Sequence, residues 1–202
     1  MIIAFEGADK VGKSTAIRET QILLDENKYS SIVIKPQFIP GKITELKATG
    51  LFRYSDDIEA LLYLTHFVSN ELSLIKPFSK RYDFVLLDRY IDSCWIFNTM
   101  MLKTEKPKEF YQKIFKEYID SAIKPDLTIL LTASTTEIKK RLKLEKHSRF
   151  ENLPHIKKIQ YNFKLMAESH KHERFYEEID TTKTTKEEVG QLVINAIKRR
   201  II

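Results

Sequence analysis

The sequence predicts an α/β protein in three layers, a five-stranded parallel sheet between two sets of helices. Short apolar runs alternate with longer segments of helical periodicity along most of the 202 residues, the order expected of βαβ units. The first apolar run, Ile2-Ile3-Ala4-Phe5, leads directly into a glycine-bearing loop and then a helix-forming stretch. The third, Phe84-Val85-Leu86-Leu87, ends on an acid, Asp88.

Each element has its own signal. Ile2 to Phe5 is apolar and short, as a buried strand should be. From Ser14 to Lys28, good helix formers carry apolar residues at Ile17, Ile22, Leu23 and Leu24. Ser31 to Lys35 is a second strand, stopped by Pro36. Between Asp57 and Phe78 the spacing of Ile58, Leu61, Leu62, Leu64, Val68, Leu72 and Ile75 predicts one long helix. Asp83 to Asp88 is the third strand, followed by a helix near Lys108 to Ala122 and a fourth strand over Leu127 to Leu131. Helices over Thr135 to Leu144 and Pro154 to His170 flank the polar Lys146-His147-Ser148-Arg149. A weaker fifth strand, Phe175 to Asp180, precedes a last helix from Thr185 to about Lys198. There is no internal repeat or domain boundary, so residues 1–202 read as one domain.

Composition fits that reading. Apolar residues make up 43% and charged residues 31%, with 5 glycines and 6 prolines, leaving little linker. The net charge of +6 is dispersed rather than gathered in a basic tract, which argues against nucleic acid as a partner. Cys94 is the single cysteine, so an intrachain disulfide is excluded and a reducing compartment is suited. No apolar run approaches the roughly 18–20 residues of a membrane span, and the start of the chain runs straight into the loop without a signal-peptide pattern. The expectation is a cytoplasmic protein with no membrane partner.

The chemistry begins at Gly7-Ala8-Asp9-Lys10-Val11-Gly12-Lys13-Ser14. This spacing after a strand and before a helix is that of a phosphate loop, or P-loop. Gly7 and Gly12 permit backbone geometry that side chains obstruct. Successive N–H groups can then face phosphate oxygens, with the helix dipole behind them. The motif predicts ATP with Mg²⁺. Lys13 is placed for the β- and γ-phosphates and the Ser14 hydroxyl for the metal, with Thr15 completing the loop. A switch GTPase would need an Asn-Lys-x-Asp segment, and none occurs. Asp88-Arg89-Tyr90 lies at a strand's carboxyl end, where ligands of such sheets bind.

Phe5 to Thr15, Ile75-Lys76-Pro77, Asp88 to Ser93, Pro125 to Thr128, His147 to Asn152 and Ile179-Asp180-Thr181 together resemble the thymidylate kinases, in order along nearly the whole chain. The resemblance implies a P-loop nucleoside monophosphate kinase fold, a short mobile lid at about 143–153, and often a homodimer. It implies transfer of a phosphoryl group from ATP to a nucleoside monophosphate, dTMP becoming dTDP. Carried over residue by residue, it makes Asp9 the partner of the sugar 3′-hydroxyl and Lys10 a basic loop residue that assists transfer. Asp88 would organise Mg²⁺ or its waters and Arg89 would bind phosphoryl oxygens. Arg149 would be the lid arginine, Arg141 would lie near ATP, and Tyr63 would stack on the acceptor base.

Four places depart from the family pattern. Phe67 stands where an arginine ordinarily reads the thymine edge, leaving His66 and Asn70 as neighbouring candidates. Lys35 to Gly41 lacks the usual phosphate site, for which Lys35, Lys42 and Arg53 are candidate replacements. Phe97-Asn98 replaces a frequent Tyr-Gln pair, and Ser148 takes the place of a lid acid. Phe67 and Phe97 therefore join the substrate-facing candidates. Two rivals stay open: a kinase of deoxynucleosides or of another pyrimidine monophosphate, and a nucleotide-binding protein without turnover. A deoxynucleoside kinase would need a carboxylate base, Glu6 or Asp9, but its usual Glu-Arg-Ser motif is absent.

Overall fold

The computed structural model describes residues 1–35, 56–101, 108–142 and 153–201. Its strands are β1 (Ile2–Glu6), β2 (Ser31–Ile34), β3 (Phe84–Asp88), β4 (Leu127–Thr132) and β5 (Tyr176–Asp180). They form one parallel sheet in the order β2-β3-β1-β4-β5. In β1, Phe5 pairs with Asp88 of β3 and Glu6 with Leu130 of β4. All carboxyl ends share one edge, so the loop after β1 and the Asp88-Arg89 pair at the end of β3 are neighbours there.

Alternation along β1 divides the core in two. Ile3 and Phe5 join Ala16, Ile17, Phe163, Val193 and Ile197 on one side of the sheet. Ile2 and Ala4 join Ala60, Leu64, Phe67, Cys94 and Phe115 on the other. The helices are α1 (Lys13–Glu26), α2 (Asp56–Asn70), the short α3 (Lys76–Phe78), α4 (Ile91–Met101), α5 (Lys108–Ser121), α6 (Thr135–Leu142), α7 (Leu153–His170) and α8 (Lys186–Ile201). This is the expected three-layer arrangement.

Two elements differ from the sequence expectation. The helix predicted over 57–78 is interrupted by a π-turn, Glu71–Ile75, ahead of Pro77. In that turn Glu71 accepts hydrogen bonds from Tyr90 Oη at 2.9 Å and Tyr118 Oη at 3.2 Å, which ties α2 to the segment after β3 and to α5. Helix α4 has no counterpart in the sequence reading. Residues 91–94, 96 and 98 are all buried, so the helix lacks the polar face that reveals an amphipathic stripe.

Buried polar contacts anchor α4. Asp92 Oδ1 meets Arg174 Nη1 at 2.7 Å as an ion pair without hydrogen-bond alignment, both side chains being buried. Asp92 Oδ2 accepts from Tyr176 Oη at 2.9 Å, and the Arg174 guanidinium lies 5.0 Å from the Tyr176 ring centre. Removing one partner strands the other charge. Arg174→Met should therefore lower unfolding stability by about 3–5 kcal/mol, read from denaturant midpoints. A loss near zero would show that the pair is not a fixed part of the fold.

Candidate active site

The loop's shape follows from its glycines. Gly7 has φ 135°, and a Cβ there would sit 2.3 Å from the Leu131 carbonyl oxygen, so no side chain fits. Lys10 (φ 64°) and Gly12 (φ 94°) also occupy the left-handed region. Gly12 precedes α1 without a side-chain hydrogen bond capping the helix. The first N–H groups of α1 thus lack the usual side-chain acceptor, and the positive end of the helix dipole faces the same space. Gly7, Ala8, Asp9, Lys10, Val11, Gly12 and Lys13 curve around it, with the exposed Ser14 and Thr15 on the first turn of α1. Such a loop at a helix N-terminus is suited to binding phosphate.

Lys13 is turned back into the loop. Its Nζ donates to the carbonyls of Ala8 at 2.7 Å and Gly7 at 3.2 Å. Burial, reinforced by the Arg89 guanidinium, pulls its pKa down to about 7, against the attraction of Asp9, Asp88 and Glu6. Burial opposes ionisation of Asp9, but Arg89 and Lys13 outweigh it and hold that carboxyl below its ordinary range.

Arg89 is the centre of the site. It sits just beyond β3 with φ 79°, and its Nη1 donates to the Gly7 carbonyl at 2.9 Å and to Ser93 Oγ at 3.2 Å. Its Nη2 pairs with Asp9 Oδ1. The Phe97 ring lies under the guanidinium, 4.8 Å from ring centre to Cζ, and Phe97 in turn packs edge-on against Phe163. One planar cation is therefore held by the loop backbone, an acid, a hydroxyl and an aromatic face. Asp88 is buried beside it, with the exposed Lys35 ammonium 3.7 Å from its carboxylate.

The opposite side of the loop is held by Arg141 and Thr181. Arg141 Nη1 donates to the Lys10 carbonyl at 3.0 Å and to Thr181 Oγ1 at 3.1 Å. Its Nη2 donates to the Thr181 carbonyl at 2.9 Å, and its Nε reaches Glu137. Thr181 Oγ1 lies 2.8 Å from the Val11 carbonyl, to which it donates.

The structure thus brings together Asp9, Lys10, Lys13, Asp88, Arg89, Phe97 and Arg141 around one loop. Tyr63 is half-buried on α2, three residues before His66 and seven before Asn70. His66 Nε2 and the Asn70 amide are 2.8 Å apart. Phe67 is buried and belongs to the core cluster that also holds Leu64 and Tyr90. Arg149, Lys42, Arg53, Ser148 and the lid segment, except its last residue Leu153, lie outside the described residues. Sequence reasoning gave no role to Ser93 or Thr181 and missed what Glu6 does. A charge closing an otherwise apolar strand was the available signal for Glu6. The hydroxyls carried none beyond their place in the motifs.

Mg²⁺ fits the donor set. Among the described residues no cluster of three or more acidic, histidine or cysteine side chains forms a metal cage. A hard cation that arrives on phosphates needs only one or two protein oxygens. Ser14 and Asp88 are oxygen donors on the elements that border the loop.

A parallel 2-3-1-4-5 sheet with this loop after β1 and an Asp-Arg pair at the end of β3 defines a P-loop phosphotransferase of the nucleoside monophosphate kinase class. Residues 5–193 match the thymidylate kinase family model, and the chain belongs to that family. It is 28% identical over 200 residues to the probable thymidylate kinase of Methanococcoides burtonii, covering 97% of this chain and 95% of that one. It is 31% identical to the thymidylate kinase of Mycoplasmopsis agalactiae over 153 residues, covering 70% and 69%. The solved structure of thymidylate kinase from Candida albicans superposes with a TM-score of 0.72 at 24% identity, covering 99% of this chain and 92% of that chain, and so shares the fold.

The depressed Lys13 pKa has a thermodynamic consequence. A bound polyphosphate favours the ammonium, so the complex holds a proton that the free protein has released above about pH 7. Affinity for MgATP should be flat below that pH and fall by up to about tenfold per pH unit above it. Titration calorimetry at pH 8 in buffers of different ionisation heat should show uptake approaching one proton. No uptake at pH 8 would mean that Lys13 is already charged in the free protein.

Proposed function

We propose that this protein transfers the γ-phosphoryl group of ATP to the phosphate of dTMP, giving dTDP, by direct in-line displacement. The observation that carries the reading is Arg89, whose guanidinium bridges the loop carbonyl of Gly7 and the Asp9 carboxylate at the carboxyl edge of the sheet. A cation held there faces the donor loop and the acceptor side together. Phosphoryl transfer depends on alignment and charge neutralisation, and an acceptor phosphate needs no general base. That removes the need for Glu6 or Asp9 to abstract a proton.

In this reading the N–H groups of residues 7–15 and Lys13 hold the β- and γ-phosphates. Arg89 binds phosphoryl oxygens, displacing part of its contact with Asp9, whose freed carboxylate takes the sugar 3′-hydroxyl. Lys10 and the lid arginine Arg149 add positive charge as the lid, about residues 143–153, excludes water. Arg141 orients the nucleotide end nearest Thr181. Mg²⁺, held through Ser14 and Asp88, supplies charge neutralisation on the phosphate oxygens when bound. Tyr63 stacks on the base, and Phe97 acts through Arg89 by supporting its guanidinium. In the same reading residues 1–202 act as one domain, in a homodimer, in the cytoplasm and without a nucleic-acid partner. Among the described residues no helix is long and apolar enough to cross a membrane.

The test is an acceptor panel with ATP and Mg²⁺: dTMP, dUMP, dCMP, UMP and thymidine, with ADP release and product identity measured. dTMP should have the highest kcat/KM and should yield dTDP. Thymidine turned over faster than any monophosphate would replace this reading with a nucleoside kinase. ATP binding without ADP formation from any acceptor would indicate a binding protein.

A further inference from the structure

The conformation of Arg89 is costly and must be held from outside. A non-glycine residue in the left-handed region is strained and persists only where its surroundings over-determine it. One restraint is the bond from Arg89 N–H to the Phe5 carbonyl at 3.0 Å, which prolongs the β1–β3 ladder past the strand. The next comes from an unexpected direction. Helix α4 starts at Ile91, so Tyr90 occupies the capping position, where it lacks the short side-chain oxygen of a cap and its distant hydroxyl bonds Glu71 instead.

Glu6, at the end of β1, supplies the missing cap. Its Oε1 accepts from Tyr90 N–H at 2.8 Å and from Ser93 N–H at 3.2 Å. Its Oε2 accepts from the Ser93 hydroxyl. Glu6 is 1% exposed and Ser93 fully buried, so neither is solvated. Ser93 Oγ in turn receives Arg89 Nη1. In its ionised form Glu6 orients the hydroxyl by accepting these bonds. The Ser93 proton points to Glu6, and its lone pairs are left for Arg89.

We propose that Glu6 is a positioning residue for phosphoryl transfer: through α4 and the oriented Ser93 hydroxyl, it holds the Arg89 guanidinium over the loop. The inference rests on the phosphoryl-binding role of Arg89. It assigns Glu6 no contact with substrate. An amide in place of the carboxylate can donate to Ser93 Oγ, which turns the hydroxyl and removes the lone pair that Arg89 uses.

The experiment measures kcat for dTMP phosphorylation and the Kd for MgATP in wild type, Ser93→Ala, Glu6→Gln, Arg89→Lys and Ser93→Ala/Arg89→Lys. Ser93→Ala and Glu6→Gln should each lower kcat about 10–100-fold, the scale of a misplacement of roughly 1 Å, with Kd changed less than about twofold. Arg89→Lys should lower kcat, and adding Ser93→Ala to it should cost less than about a further twofold, since the shared contact is already gone. A Ser93→Ala enzyme at wild-type kcat would overturn the proposal. So would Arg89→Lys at wild-type kcat, or a Ser93→Ala loss of the same size in both backgrounds, which indicates general damage. If Glu6→Gln does not fold, the Ser93 and Arg89 cycle still decides. If wild type transfers to no monophosphate, the functional reading fails first and takes the proposal with it.

Discussion

The site depends on one strained arginine held against the loop it serves. Arg89 leaves β3 in a left-handed conformation and brings its guanidinium to the Gly7 carbonyl, Asp9 and Ser93. The adjacency of β1 and β3 makes this possible, because their register sets Phe5 beside Asp88 and the two strand ends turn into the same crevice. Without that pairing, the loop and the arginine would belong to separate parts of the molecule. With it, a short connection after each strand is enough to assemble donor groups and a cation on one edge.

Packing protects this arrangement from several sides. Phe97 lies under the guanidinium and rests on Phe163, so α4 and α7 support Arg89 through aromatic contact. Asp92 fixes α4 to Arg174 and Tyr176. Across the loop, Arg141 and Thr181 bind the carbonyls of Lys10 and Val11. The carbonyls of Gly7, Ala8, Lys10 and Val11 are thus occupied by side-chain donors. The concentration of charge also explains the electrostatics. Lys13 is buried beside another cation and holds its proton weakly, whereas Glu6, buried beside Asp92, has its pKa raised to about 7.

Much of this was legible in the sequence because its signals are local. The loop spacing, the apolar strands and the Asp88-Arg89 pair each announce themselves over a few residues. Helix α4 did not, since buried positions on most of its faces erase the amphipathic stripe. The π-turn after Asn70 was hidden because apolar spacing continues through it. Strand order was also out of reach, being a matter of which strands meet rather than of any one strand's composition. For the same reason the cap that Glu6 places on α4 could not be read, for it joins residues 84 to 87 positions apart. The family pattern drew attention to Phe67 at the base, and the structure adds that this residue is buried in the core cluster that also holds Tyr90. The polar pair on that stretch of α2 is His66 and Asn70.

The most direct measurement is rapid-quench phosphoryl transfer to dTMP by an Arg89→Ala enzyme saturated with MgATP, with nucleotide affinity measured on the same preparation. The transfer rate should fall by about 10³–10⁵ with MgATP binding largely retained, because the loop and Lys13 remain. Transfer at near wild-type rate would contradict the role of Arg89 in transfer, and the clasp on Arg89 would then be a feature of the fold rather than of the chemistry.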